Sequence, residues 1–523
     1  MIDKIVIKNF KQFSDLEIDC NAGRNIFIGE NGSGKSSILQ AINLVMSGSY
    51  AQIEKNGLIN LFNSNSISDF LSLGTHNLPE LLVELYFNDS IPEIKDNYKL
   101  EGKHNSMKLP QKFGISLKIS PNDELMSDIT DSLRDSNRKI FPFEFYKVEF
   151  RTFSDEPYNS YNKPFKFNFS IVDTSLINTK LETRKRIDEI YNDSVLPENR
   201  AKINNEFRKK TDEFITKIID DDLMEEKDYR IAIDNSSEYS FKEKLTALKS
   251  NIDIKNFGQG EKVILSVENS YKRRNDKTKL ILVEEPENHL SFSNMHLLLD
   301  IVESEKHIQT FISTHSNMIA SRLEIDSCIF LNSGIALSLK DLDKETVKFF
   351  QKSTNQHILN FILGNKCILV EGNAEYILMN KFYSIMAGNT PNDDSVYILS
   401  VDGLSFERYL KVAQRLTDKK VAVITDNDKD YQKTIINKYS DYDANENIKI
   451  FSDTDNQNYT FEVCLYNSNK TMIDGSSLTV RSDKLKYMLN NKAESALRML
   501  DIVDNDFIIP SYITEAIEWI RND

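Results

Sequence analysis

Apolar and polar residues alternate from the start of the chain. In Met1-Ile-Asp-Lys-Ile-Val-Ile-Lys-Asn-Phe10 the spacing predicts a strand over 5–10 and not a signal peptide, and 16–18 repeats the pattern. Ile26-Phe27-Ile28 is unbroken and apolar, as in a strand buried on both faces of a parallel sheet. From 36 to 46 the period becomes helical, with Ile38, Leu39, Ile42 and Val45 on one face. Another strand is expected over 81–87. Residues 88–250 are richer in Asn, Asp, Lys and Ser. Charges of both signs at helical intervals over 181–227 (Arg184, Lys185, Arg186, Glu189, Glu198, Arg200) predict a solvated helical arm or dimerisation element. Regular alternation returns at 250, with strands over 280–283 and 310–313 flanking a helix over 294–302. A second series starts at 366: strands over 366–370, 396–401 and 421–425, helices over 374–382 and 406–416. The join is expected near 353–364.

The length, 523 residues, admits about three domains of ordinary size. Hydrophobic residues make up 40% and charged residues 28%, a globular balance. No apolar run approaches the ~20 residues of a membrane span. Cys20, Cys328, Cys367 and Cys464 form no C-x-x-C pair, which argues against a disulfide or cysteine–zinc scaffold and fits a reducing cytoplasm. Lys and Arg number 65 against 80 Asp and Glu, a net charge of -15. That excludes a basic coat for non-specific nucleic-acid binding. It leaves local basic patches, such as Tyr271-Lys272-Arg273-Arg274, and acidic sites that cations neutralise.

Gly29-Glu-Asn-Gly-Ser-Gly34-Lys35-Ser36 fits G-x-x-x-x-G-K-[ST] and lies between a strand and a helix, where such a loop must lie. Its glycines free backbone N–H groups for phosphate, the helix N-terminus adds positive potential, Lys35 reaches terminal phosphates and Ser36 binds Mg²⁺. Asn31, Gly32, Gly34, Lys35, Ser36 and Ser37 are the expected nucleotide contacts. Far downstream, Leu280-Ile-Leu-Val-Glu284-Glu285-Pro286-Glu287 ends a strand in carboxylates: Glu284 to hold Mg²⁺, Glu285 to polarise water. Phe257-Gly258-Gln259-Gly260-Glu261 resembles the signature motif of ABC-type ATPases, and Ile312-Ser-Thr-His315-Ser316 their switch histidine. In this order the segments resemble ABC ATPases of the SMC and Rad50 kind. The resemblance implies that Gly258, Gln259 and Gly260 of one subunit cap ATP held by another, hence a dimer. The Mg²⁺-sensing glutamine of that family has no clear match, Gln52 and His76 being weak candidates, and the heptads of a long coiled coil are absent.

A second acidic constellation follows residue 366. Cys367-Ile-Leu-Val-Glu371-Gly372 and Val421-Ala-Val-Ile-Thr-Asp426-Asn-Asp428 both end strands in carboxylates, and Glu375 lies on the helix after the first. Adjacent parallel strands deliver such ends to one edge. Clustered carboxylates repel unless cations sit among them, and hard oxygen ligands suit Mg²⁺ or Mn²⁺. The pattern resembles the Toprim fold of topoisomerases, primases and some nucleases.

Together the two halves resemble the OLD (overcoming lysogenization defect) family of ATP-linked nucleases. Tyr459-Thr-Phe-Glu462 resembles that family's further carboxylate segment, and Asn491-Lys492-Ala-Glu the start of the helix carrying its catalytic lysine. The resemblance implies an α/β architecture: an ABC-type P-loop ATPase (1–90 and 251–355) interrupted by a partly helical insertion (91–250), then a Toprim domain (356–523) with a small helical end. It implies ATP and Mg²⁺ or Mn²⁺ as cofactors. It also implies metal ligation by Glu371, Glu375, Asp426, Asp428 and Glu462, and catalysis by Glu285, His315, Glu371, Asp426 and Lys492. The implied activity is metal-dependent cleavage of DNA by a cytoplasmic homodimer or larger assembly. The implied setting is bacterial anti-phage defence, with a helicase, or a reverse transcriptase and its retron DNA, as partner. Two alternatives stay open: a ribonuclease toxin acting on RNA such as tRNA, and an ATP-switched sensor or scaffold that needs a partner. Topoisomerase-like cleavage ranks low, because no breakage–reunion domain is apparent.

Overall fold

The computed structural model describes residues 1–73, 78–104, 111–134, 141–173, 179–220, 241–249, 251–272, 278–305, 307–316, 319, 327–332, 335–338, 345–346, 348–349, 360–362, 364–401, 406–416, 419–478 and 483–522. His76, Arg273, Arg274 and most of the expected join at 353–364 lie outside them. The chain divides into two compact units, Met1–Phe27 with Gly34–Ile319 and Ile28–Ser33 with Ala320–Asp523.

The first unit carries two sheets. Strands β1 (Ile2–Phe10), β2 (Phe13–Asp19), β3 (Arg24–Ile28), β4 (Leu81–Phe87), β5 (Glu101–Gly102), β6 (Lys112–Pro121), β7 (Tyr146–Thr152) and β8 (Asn168–Asp173) precede the short hairpin β9 (Leu248–Lys249) and β10 (Ile252–Asp253). Then come β11 (Thr278–Glu284) and β12 (Gln309–Thr314). One sheet has the order β2-β1-β4-β6-β5, with β7 also on β6, and its pairings are antiparallel. The other runs β3-β12-β11-β8, with β11 parallel to both neighbours. The helix Lys35–Ser47 packs between them, against β4, β6, β11 and β12. Its predicted face is the buried one: Ile38, Ile42 and Val45 are fully enclosed.

Residues 91–250 hold more sheet than their charge pattern predicts. Ile115, Leu117 and Ile119 of β6 are fully buried at alternate positions, and β8 lies beside β11 in the parallel sheet. The helices Thr179–Ser194 and Pro197–Asp220 carry the charged stretch as far as 220, and 221–227 lie outside the described residues. The first of them buries Ile187 against Ile254 and Phe257, directly under the Gly258-Gln259-Gly260 turn.

The second unit has the antiparallel pair β13 (Cys328–Asn332) and β14 (Ile335–Ser338). Its main sheet comprises β15 (Lys366–Val370), β16 (Val396–Ser400), β17 (Lys420–Ile424) and β18 (Ile448–Phe451), all parallel in the order β16-β15-β17-β18. The expected strands at 366, 396 and 421 are present; β18 was not expected. Helices Asn373–Ala387, Phe461–Ser468, Lys492–Met499 and Ser511–Arg521 enclose a core of Ile368, Val370, Phe382, Ala422, Ile424, Phe451, Phe461, Ile513 and Ile517. All four cysteines are buried and free. Among the described residues no helix is long and apolar enough to cross a membrane.

Candidate active sites

The Gly-rich loop meets the helix Lys35–Ser47 at Gly34, whose φ of 105° lies where L side chains are strained. A Cβ there would also collide with the Gln12 amide and the Phe13 ring. Gly34→Ala is therefore expected to weaken nucleotide binding and lower the melting temperature together, read by nucleotide titration and thermal unfolding. Lys35 is 3% exposed, and burial lowers its pKa against the pull of Glu285 and then Glu287. Ser36 is exposed, and the Ser37 hydroxyl donates to Gln12 Oε1 at 3.0 Å. Asn31 and Gly32 are exposed, Gly32 with φ 84°.

Gln12, in the turn between β1 and β2, is a residue that sequence reasoning missed. Its only signal is its place in a polar turn, with nothing to link it to a loop twenty-odd residues on. Beside it, Lys11 is lowered by burial and drawn back by the charge of Glu284. The Gln52 side chain accepts from the Ser47 hydroxyl at 3.2 Å, so it is engaged at the far end of the helix from Lys35.

The acidic strand and the histidine strand are neighbours. Glu284 ends β11 opposite Ser313 of β12. Glu285 follows with φ 39°, donates its N–H to the Ser313 carbonyl at 3.0 Å and accepts from Asn288 Nδ2 at 2.9 Å. Glu287 Oε1 accepts from the Thr314 hydroxyl and the His315 N–H, each at 2.7 Å, and lies 3.1 Å from His315 Nδ1. Gly258 and Gln259 are exposed on a turn closed by a Gly258 N–H to Glu261 Oε2 bond of 3.2 Å. The turn is thus presented to solvent above buried Phe257.

In the second unit β15 and β17 are parallel, with Val370 beside Ile424, so Glu371 and Asp426 leave the same edge. Asp426 Oδ1 accepts the Phe461 N–H at 2.8 Å, which fixes it against the helix that carries Glu462. Glu375 is 5% exposed and folds back towards Gly372, where a Cβ would stand 3.3 Å from its Oε2. Glu462 is 2% exposed, its Oε2 pairs with the Lys492 ammonium at 3.2 Å, and its Oε1 is buried without a hydrogen bond. Burial alone would lower Lys492, but Glu462, Asp426 and Glu375 hold it above its ordinary value.

Asp428, also expected as a ligand, is exposed with φ 48°, and Lys429 follows at 71°. The buried residue of that turn is Asn427, 1% exposed, whose Nδ2 donates to the Asp453 and Asp455 carbonyls at 2.8 and 2.9 Å. Asn427 was not expected; an amide between two acids carries no signal beyond its turn propensity.

Among the described residues no three His, Cys, Asp or Glu side chains form a ready-made metal-ligand group. The donor chemistry nonetheless fits a divalent cation. Glu462 keeps Oε1 buried without a hydrogen bond. Asp426 is pushed up to about 8 by burial, then by Glu371, Glu375 and Glu462 against Lys492. Glu375 is pushed up to about 7, chiefly by burial, with Glu462 and Glu371 adding to it. Both groups are shifted toward the protonated form, and a binding cation must displace those protons.

The sign of the pH dependence follows. Between the ordinary carboxyl values of 3.8 and 4.5 and the raised values of about 8 and about 7, the folded chain binds more protons than the unfolded one. Without added cations, these two groups make stability fall as pH rises through that window. Divalent-ion affinity rises over the upper part of it, with proton release. Calorimetry between about pH 5 and about pH 8 checks this. The decline is expected to vanish in an Asp426→Asn, Glu375→Gln double variant; an unchanged slope there would contradict it.

Two family models match the chain. The AAA_21 family model, an AAA domain associated with the AbiEii toxin of Type IV TA systems, matches residues 24–321. The model of the overcoming lysogenization defect protein-like TOPRIM domain matches residues 362–428. An "ATP/GTP phosphatase" of Helicobacter pylori is 25% identical over 390 residues, 69% of this chain and 94% of that protein. The DNA replication and repair protein RecF of Cytophaga hutchinsonii is 29% identical over 115 residues, 21% of this chain and 26% of its own. Among solved structures, an SMC head bound to the C-terminal winged-helix domain of ScpA covers 65% of this chain and 99% of its own, at 17% identity and TM-score 0.35. The C-terminal region of the Burkholderia pseudomallei OLD protein covers 30% of this chain and 97% of its own, at 17% identity and TM-score 0.24. The AAA_21 match extends over more than half the chain and includes the Gly-rich loop, the acidic strand and the histidine strand, while the TOPRIM match takes in Glu371 and Asp426; the chain belongs to the AAA_21 family of ATPases and joins that domain to an OLD-like TOPRIM nuclease domain.

Proposed function

We propose that the chain is an ATP-controlled, Mg²⁺- or Mn²⁺-dependent DNA endonuclease of the OLD type. The observation that supports the reading is that Glu371 and Asp426 leave the same edge of an all-parallel sheet, with Asp426 bonded to the start of the helix that carries Glu462 and Glu462 paired with Lys492. Divalent ions at such a site activate water and stabilise charge on the leaving oxygen of a phosphodiester. Glu371 and Asp426 are the main ligands in this reading, with Glu375 and Glu462 in support. Lys492, 3.2 Å from Glu462, is the cation that would face the scissile phosphate. Lys35 and Ser36 hold the ATP phosphates and Mg²⁺, Glu284 completes the Mg²⁺ site, and Glu285 orients the attacking water. The exposed Gly258-Gln259-Gly260 turn supports closure over ATP by a second copy of the chain. In this reading 1–90 and 251–355 form the ATPase, 91–250 its insertion and 356–523 the nuclease. The setting in anti-phage defence, with a helicase or a retron reverse transcriptase as partner, rests on the OLD resemblance.

The test is cleavage of plasmid, linear and single-stranded DNA by the purified chain, with and without ATP and with Mg²⁺ or Mn²⁺. Cation-dependent DNA cleavage is expected. Cleavage of tRNA with DNA left intact would replace this reading with a ribonuclease, and inertness on both would replace it with an ATP-switched scaffold.

A further inference from the structure

We infer that Glu287 is a positioning residue for ATP hydrolysis, acting through His315 and distinct in role from Glu284 and Glu285. The inference rests on His315 being the residue that meets the γ-phosphate. Glu287 lies in the turn Pro286–His289 that follows β11. Because β11 and β12 are parallel neighbours in register, with Glu284 beside Ser313, this turn lands on the residues just beyond β12. There one carboxylate oxygen gathers everything that fixes the histidine. Oε1 takes the Thr314 hydroxyl and the His315 N–H at 2.7 Å each, and the ring's Nδ1 approaches to 3.1 Å. The Glu287 side chain is only 9% exposed while that of His315 is 48% exposed, so a buried anchor holds a ring that faces outward. With Nδ1 turned to the carboxylate, Nε2 is the nitrogen left to meet a phosphate oxygen.

The second oxygen, Oε2, is buried without a hydrogen bond. Supporting groups of this kind, one shell behind a reacting group, typically cost about 10- to 100-fold when removed.

The experiment is steady-state ATP hydrolysis by the full chain carrying His315→Ala, Glu287→Ala, Glu287→Gln, or His315→Ala with Glu287→Ala. Glu287→Ala is expected to lower kcat about 10- to 100-fold with KM changed by less than about twofold. Glu287→Gln, which keeps an oxygen for Thr314 and the His315 N–H, is expected to recover part of that loss. The double variant is expected to match His315→Ala within about twofold, because Glu287 has nothing to position once the ring is gone. Losses that multiply in the double variant would overturn the inference while leaving the role of His315 intact. Wild-type hydrolysis by His315→Ala would overturn both. If Glu287→Ala does not fold, the same comparison with Glu287→Gln decides.

Discussion

Asp426→Asn is expected to lower nucleic-acid cleavage by about 10³-fold and to leave ATP hydrolysis unchanged. The substitution is chosen for what it preserves. Asp426 Oδ1 accepts the Phe461 N–H at 2.8 Å, and an amide oxygen accepts the same bond. The raised pKa of about 8 means that the native side chain is itself neutral at pH 7 before a cation arrives. Asparagine mimics that neutral form, so the fold is retained, but it cannot ionise to become a strong ligand. Loss of several kcal/mol of metal-assisted stabilisation, at about 1.4 kcal/mol per tenfold, gives the stated magnitude. The measurement is initial rates of cleavage and of phosphate release on one preparation. Cleavage within about tenfold of wild type would remove Asp426 from the catalytic centre.

Glu285→Gln is expected to slow ATP hydrolysis by about 10²- to 10⁴-fold while ATP stays bound, the range for loss of a positioned general base. Glu285 is held at φ 39°, a conformation that costs a non-glycine residue of order 1–3 kcal/mol. The Ser313 carbonyl and Asn288 maintain it there, and its charge is the strongest drawing on Lys35. Glutamine keeps the Asn288 contact and removes the basic oxygen. Nucleotide retention after gel filtration, together with single-turnover hydrolysis, separates this outcome from a binding defect. Turnover at the wild-type rate would move the base elsewhere.

The strands that end in chemistry were legible because each is a short apolar run closed by glycine or carboxylate. Val370 and Ile424 then bring Glu371 and Asp426 to one edge by register alone. What the sequence hides is backbone direction after the strand. Asp426 and Asp428 look equivalent in Asp-x-Asp, yet left-handed turns at Asp428 and Lys429 send the second carboxylate to solvent and bury Asn427 between them. Glu287 was passed over because it belongs to the same acidic run as Glu284 and Glu285, and only the turn after β11 distinguishes its direction. The strands within 91–250 were obscured by composition. The alternation of Ile115, Leu117 and Ile119 was present but sat among charged and amide residues that drew attention to the helices instead. Gln12 depends on contacts across the fold, which no local spacing encodes; Lys492 was named from its segment's resemblance, and its pairing with Glu462 shows only in the fold.

Lys492 over Glu462 also changes how the nuclease edge meets a polyanion. Burial shifts Asp426 and Glu375 toward their protonated forms, and the Lys492 ammonium lies 3.2 Å from Glu462, so part of the negative charge written in the sequence is offset before any cation binds. An approaching polyanion therefore meets less repulsion at this edge than four free carboxylates would give it.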